Sequence, residues 1–118
     1  MAIGRVALVT NTNGIGNTAV GAGALVNSND GDNNTAIGLA ALQNIATRSG
    51  NTALGAFAGS LVTEANNVIC IGAAGDDVDN SCYIGNIYGA EISEFAAVVL
   101  VDADGKVGTG PSMPMETR

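Results

Sequence analysis

Histidine and tryptophan are absent from this 118-residue chain, and aromatic residues make up only 3% of it. Histidine is the usual general base and the commonest metal ligand. Without it, the chain can form neither a Ser-His-Asp nor a Cys-His arrangement of its own. No Gly-x-x-x-x-Gly-Lys-Ser/Thr run for binding phosphate occurs either. We therefore expect no catalytic residues, no cofactor, no metal site and no enzymatic activity.

Charge and the length of the apolar runs exclude further classes of protein. The chain has 4 basic and 11 acidic residues, so its net charge is −7. Nucleic-acid-binding proteins present the opposite charge. No apolar run reaches the ~18 residues of a transmembrane helix, and the residues after Met1 do not resemble a signal peptide. The sequence thus predicts neither a nucleic-acid partner nor membrane insertion.

Neither the acidic residues nor the two cysteines have the spacing of a binding site. The segment from Asp30 to Asn34 is similar to a calcium loop, but Thr35 stands where such a loop needs glycine, and no glutamate closes it. Solvated acidic turns are the preferred interpretation. Cys70 and Cys82 differ in their offset from the following glycine, which places them on opposite faces of strands. We expect free, packed thiols.

A 17-residue repeat dominates the sequence. The unit Asn-Thr-Ala-(Val/Ile/Leu)-Gly occurs three times in full, with truncated or altered copies on either side. Short fixed periods are typical of solenoids, in which each repeat packs only against its neighbours. The few aromatics suit thin, regular layers of small and branched side chains, and a charged fraction of only 13% argues against disorder. The glycines that mark the period are Gly4, Gly21, Gly38, Gly55 and Gly72.

The residues before each glycine are apolar on both sides of a predicted strand. A branched aliphatic residue or leucine precedes each glycine, as Ile37 does, and a small residue such as Ala36 stands one position earlier. Adjacent strand residues face opposite sides. A single-chain solenoid needs only one apolar side per strand, so the second side predicts another surface that covers it.

The rest of each period indicates how one turn of the solenoid, here called a rung, is built. An Ala-Leu pair follows the glycine, as at Ala41 and Leu42, which predicts a second short strand. Helix is the alternative for residues 35–46, but a recurrent glycine inside it would cost about 1 kcal/mol per repeat. Asn17, Asn34 and Asn51 share one position and predict a structural ladder of asparagines. Polar, glycine-containing stretches between them suit tight corners.

The 17-residue period breaks after Gly72, and the solenoid is predicted to end at residue 88. Only 13 residues separate Gly72 from Gly85. The apolar run that begins at Phe95 is followed by an Asp-Gly turn at Asp104, which predicts a hairpin. We therefore divide the chain into a β-solenoid at 1–88, a C-terminal strand pair at 89–110 and an extended tail at 111–118.

The repeat resembles that of a known group of proteins. The unit from Asn34 to Leu42 resembles repeats of bacteriophage tail fibres, and it is similar to the head repeats of trimeric autotransporter adhesins of the YadA type. The resemblance covers residues 1–88. The segments 83–89 and 101–109 resemble the stretch that precedes the self-cleaving C-terminal chaperone domain of many phage fibres.

This resemblance implies an all-β homotrimer of parallel β-rolls or β-helices, coiled left-handed, in which three chains share an apolar seam. It also implies the function: a virion fibre or fibre-tip module that displays loops for host recognition or decorates the particle. Its partners would be other copies, other virion or fibre proteins, and a host-surface glycan or protein. The alternatives are the head fragment of a bacterial surface adhesin and, less favoured, a glycan-depolymerising fibre enzyme.

Overall fold

The computed structural model describes residues 1–92 and 97–110. Described residues contain strands and turns but no helix, so the helical alternative for 35–46 is wrong, and within that range residues 35–37 form a strand. The chain divides into two compact units, Met1–Tyr88 and a second that begins at Gly89. The predicted tail, 111–118, lies outside the described residues, as do residues 93–96. The strands are β1 (Ala2–Ile3), β2 (Thr18–Val20), β3 (Thr35–Ile37), β4 (Thr52–Leu54), β5 (Ile69–Ile71), β6 (Cys82–Ile84), β7 (Val99–Val101) and β8 (Val107–Thr109).

The first unit is a β-solenoid of parallel strands. Strands β1 to β6 form one sheet in sequence order, and each pairs in parallel with the next. The 17-residue period sets the register, so that Ala19 pairs with Ala36 and Ala36 with Ala53. Identical positions of successive repeats therefore stack in columns, about 4.8 Å apart. This stacking confirms the solenoid that the glycine spacing predicts.

Small side chains line the inner side of the sheet. Ala19, Ala36, Ala53 and Cys70 are the central residues of β2 to β5, and at most 1% of each is exposed. Leucine, isoleucine and valine side chains from the turns fill the remaining interior. The bulky residue before each glycine points outward. The largest fully buried apolar side chains are Leu25, Leu42, Ile45, Val62 and Val68.

The predicted second strand of each repeat is wrong. Residues 22–27 and 39–44 form turns, and Leu25 and Leu42 have φ angles of 52° and 48°. A strand would send Ala24 and Leu25 to opposite sides, yet both are fully buried. The left-handed backbone at the leucine turns both side chains into the core. The turn still bonds to the next rung, since the Leu25 N–H donates to the Ala41 carbonyl at 3.0 Å.

The second unit contains the predicted hairpin. Strand β7 pairs antiparallel with β8, and Val101 lies opposite Val107. The Asp102 carboxylate accepts hydrogen bonds from the N–H groups of Asp104 (3.0 Å) and Lys106 (2.9 Å), which fixes the turn. An isolated two-stranded hairpin is marginally stable in water.

Candidate interaction surface

The outer side of the solenoid sheet carries a continuous row of large aliphatic side chains, here called the apolar stripe. Each member stands one residue before the repeat glycine, and strand register places each directly beside the next. All are 40–56% exposed except Val20, which is half-buried. The stripe spans six rungs, about 25 Å at the usual strand spacing. Its members are Ile3, Val20, Ile37, Leu54, Ile71 and Ile84.

The surroundings of the stripe carry no charge from β2 to β5, whereas Arg5 stands in the same columns beside β1. The column three residues before the repeat glycine lies on one side of the stripe. The two columns that follow the glycine, one and two residues after it, lie on the other. From β2 to β5, every residue in these columns is aliphatic, threonine, glycine or phenylalanine. The chain carries 11 acidic residues, so their exclusion from this part of the sheet leaves an uncharged surface. We call this set of columns, together with the stripe, the outer face.

Buried asparagines hold the rungs together beneath this face. The Asn34 amide oxygen accepts from the Asn51 N–H at 2.9 Å, and its Nδ2 donates to the Arg48 carbonyl at 2.8 Å. Asn17 and Asn51 make the equivalent pairs of bonds. All three side chains are at most 5% exposed. The predicted asparagine ladder is therefore confirmed, and its role is structural.

A second ladder along the edge of the solenoid accounts for two acidic residues. Each bond runs from a backbone N–H to a side-chain oxygen one rung further on, at 2.7–3.0 Å. Sequence reasoning missed this ladder, although an oxygen acceptor recurs six residues before each glycine from Gly38 to Gly85. Because the acceptor position is counted back from the glycine, it stays aligned with the earlier acceptors even in the shortened repeat that ends at Gly85. The residues of this edge ladder are Ile15, Asp32, Ser49, Asn66 and Asp79.

The remaining carboxylates near these turns are also occupied by hydrogen bonds. Asp30 Oδ1 accepts from Asn13 Nδ2 at 2.7 Å, and its Oδ2 accepts from Asn29 Nδ2 at 2.9 Å. Arg48 pairs with Glu64 on the surface. Among residues 1–92 and 97–110, no group of three or more acidic, histidine or cysteine side chains could hold a metal ion. The structure thus gives these acidic turns a rung-bridging role.

Asp77 closes the shortened repeat. Its carboxylate accepts hydrogen bonds from the N–H groups of Thr63 (2.6 Å) and Glu64 (2.8 Å) and from the Thr63 hydroxyl. The Thr63 hydroxyl and these N–H groups lower the pKa of Asp77 from 3.8 to about 2. Hydrogen bonds to the charged form favour that form. The ionised carboxylate therefore stabilises the last turn.

The replacement Asp77→Asn should change how stability depends on pH. Because the pKa is lower in the folded chain, ionised Asp77 stabilises fully above pH ~4, and this contribution is lost as pH falls toward 2. The variant, which cannot titrate, should be less stable than the parent at pH 6, and the difference should shrink below pH 4. Urea midpoints between pH 2 and 7 measure this, with Asp76→Asn as the control. A constant difference across that range would contradict the assigned role.

The two cysteines lie on opposite sides of neighbouring strands. Cys70 is fully buried on the inner side of β5, and burial raises the pKa of its thiol. Cys82 lies on β6 beside Ile69 in the outer face. Both thiols are free. The expectation that both would be packed is wrong for Cys82, which is exposed because it stands at an outward position of its strand. It offers a chemical probe of whatever covers this face.

Tyr88 and Phe57 are both exposed aromatics, and Phe57 is 52% exposed. Phe57 lies on the outer face, whereas Tyr88 ends the first unit.

Within the described residues, no helix is long and apolar enough to cross a membrane. Comparison with protein-family models, with curated proteins and with solved structures gives no match for this chain.

Proposed function

We propose that this chain is a self-assembling structural module of a virion fibre or fibre tip, a homotrimer whose copies meet through the outer face. The apolar stripe is the observation that carries the proposal. The small residues of β2 to β5 already complete the inner side of the sheet, so the outward aliphatics add nothing to the core of a single chain. Large continuous apolar surfaces on soluble proteins mark interaction sites.

A second copy of the chain is the occupant that fits best. The outer face has a ridge at every rung, about 4.8 Å apart. Another solenoid with the same rung spacing matches such a surface along its whole length, and copies of this chain have that spacing by definition. Each copy carries a net charge of −7. An uncharged contact surface keeps the acidic turns of like-charged copies out of the interface.

The proposed mechanism is rigid display. Rungs joined by backbone bonds and by the two side-chain ladders resist bending. The polar turns on the remaining sides would then be presented three times for host recognition or particle decoration. The repeat's resemblance to tail-fibre and adhesin-head repeats supports this interpretation. The short solenoid suits a compact knob in a longer assembly.

The substitution Ile37→Asp tests the proposal. Ile37 is 40% exposed and lies in the middle of the stripe. A carboxylate there stays hydrated in a single chain but would be desolvated between copies, which is costly for an unpaired charge. We expect the variant to fold and to sediment as a monomer. Leu61→Asp is the matched control, because Leu61 is 60% exposed but lies outside the outer face. It should assemble like the parent.

Reactivity of Cys82 toward a thiol reagent gives an independent readout. In the assembled parent, both thiols should react slowly, Cys70 because of the core and Cys82 because of the neighbouring copy. In monomeric Ile37→Asp, one thiol per chain should react quickly. The proposal fails if Cys82 is equally reactive in the two proteins, or if Ile37→Asp assembles as the parent does.

A further inference from the structure

We propose that Leu39 and Phe57 form the anchor of association between copies, the pair of side chains that contributes most to binding at the outer face. This inference rests on the proposed function. It identifies, within the face, the residues that depart from the repeat. The stripe supplies the same aliphatic contact at every rung, whereas an anchor would make the central rungs unlike the others.

Both residues are exceptions in their columns. In the column one residue after the glycine, Leu39 is the only large apolar residue, since the other rungs have Arg5, Ala22, Ala56, Ala73 and Asn86. In the column two residues after the glycine, Phe57 is the only aromatic residue, and the other rungs have Val6, Gly23, Ala40, Ala74 and Ile87. The solenoid itself therefore accepts small residues at both positions. A requirement other than the rung geometry selects the large ones.

The two exceptions are neighbours in space. The Phe57 N–H donates to the Leu39 carbonyl at 2.8 Å, across adjacent rungs. Leu39 is 49% exposed and Phe57 52%. They follow the stripe residues Ile37 and Leu54 by two and three positions. Together they widen the apolar surface at rungs three and four. Large aromatic side chains surrounded by apolar surface are typical hot spots of protein interfaces.

The backbone at Phe57 strengthens the inference. Its φ angle is 58°, in the left-handed region that bulky residues rarely adopt, and the rung geometry imposes similar angles on Val6 and Ala40 (54°) and Gly23 (69°). The left-handed backbone is unfavourable for any residue that carries a Cβ. Leu25 and Leu42 offset that cost by complete burial. Phe57 leaves half of its surface in water, so a single chain gains little in return. Backbone strain of this kind clusters at functional positions.

A second copy is again the occupant, because the pair is continuous with the uncharged, rung-spaced face. Covering Phe57 would recover the burial that the single chain lacks. Phe57 is the only aromatic residue in its column. The pair would therefore also favour one alignment of two neighbouring copies over an arrangement in which one copy is shifted by one or two rungs. The stripe alone, with similar aliphatics at every rung, specifies that alignment weakly.

The substitution Phe57→Gly separates an anchor from a structural residue. Glycine adopts the left-handed backbone without strain, which offsets the loss of a half-exposed ring, so the stability of the folded chain should change little. Assembly should nevertheless require about tenfold higher protein concentration or more, as expected on removing an interface hot spot. Sedimentation over a concentration series measures assembly, and a urea titration in the monomeric Ile37→Asp background measures the fold. Leu39→Ala should weaken assembly in the same direction.

Two control variants should leave assembly unchanged. Ala40→Gly makes the same backbone change one rung away, at a residue only 8% exposed, and should leave assembly unchanged. Leu61→Ala removes a side chain outside the face that is 60% exposed, more than Phe57 or Leu39, and should also have no effect. If the parent is a trimer and both Phe57→Gly and Leu39→Ala assemble at the parent's concentration, the anchor is refuted and the proposed function stands. If the parent is a monomer throughout, both are refuted.

Discussion

Replacing Gly38 by alanine is expected to destabilise the solenoid by about 2–6 kcal/mol. A Cβ at this position would overlap the carbonyl oxygen of Gly55 and lie 2.5 Å from its carbonyl carbon. These are backbone atoms of the next rung, so no side-chain rotation relieves the overlap. The φ angle of Gly38 is 138°, which L-residues rarely adopt. Overpacking and backbone strain each contribute roughly 1–3 kcal/mol.

Thermal unfolding of Gly38→Ala and Gly72→Ala at one protein concentration measures this effect. Gly72 occupies the same column, but a Cβ there meets nothing within 4 Å. Its φ angle of 58° leaves only the left-handed strain, about 1 kcal/mol. A melting temperature at least 10 °C lower for Gly38→Ala than for Gly72→Ala is expected from the usual scaling. Equal melting temperatures would show that the rungs are not stacked glycine on glycine.

Replacing Asn34 by leucine should cost about 2–5 kcal/mol of unfolding free energy. Leucine has a similar size, so packing changes little, but it makes neither ladder bond. The Asn51 N–H and the Arg48 carbonyl then lose their partners. A buried polar group left without a partner costs about 1–3 kcal/mol. The fully buried position of Asn34 gives water little access to compensate.

Asn44→Leu is the matched control for Asn34→Leu. The Asn44 side chain also bonds to the next rung, through Nδ2 to the Ser60 carbonyl at 2.7 Å, but it is exposed to water. Its replacement should change the urea-unfolding free energy by less than about 1 kcal/mol. Amide hydrogen exchange at Asn51 should accelerate only in Asn34→Leu. Similar costs for the two replacements would mean that the buried ladder is not what joins the rungs.

The sequence predicts the features that depend on repetition. A glycine every 17 residues is sufficient to predict parallel stacking, and the pairing of Ala19 with Ala36 follows from it. The asparagine ladder was predictable for the same reason, since identical residues at one position of a solenoid must stack. The uncovered apolar side was also predictable, because both Ala36 and Ile37 are apolar and only one can face inward.

Features set by backbone conformation were not predictable in this way. Leucine seldom adopts a positive φ angle, so no local rule places Leu25 in a left-handed turn. Contacts between rungs impose that conformation, since they bury Ala24 and Leu25 together. Gly59 stands where the equivalent repeats have Leu25 and Leu42, and its identity has a similar origin, because a Cβ there would lie against the side chain of Leu42. The strain at Phe57 is likewise visible only in three dimensions.

The solution mass of the unmodified chain, measured by light scattering with size-exclusion chromatography over a range of concentrations, tests the central claim most directly. A mass near three times 11.6 kDa is the result we expect, because three copies would cover one another's apolar stripes. A stable, soluble species of 11.6 kDa at every concentration would contradict it. The stripe would then be an exposed surface that copies of this chain do not cover.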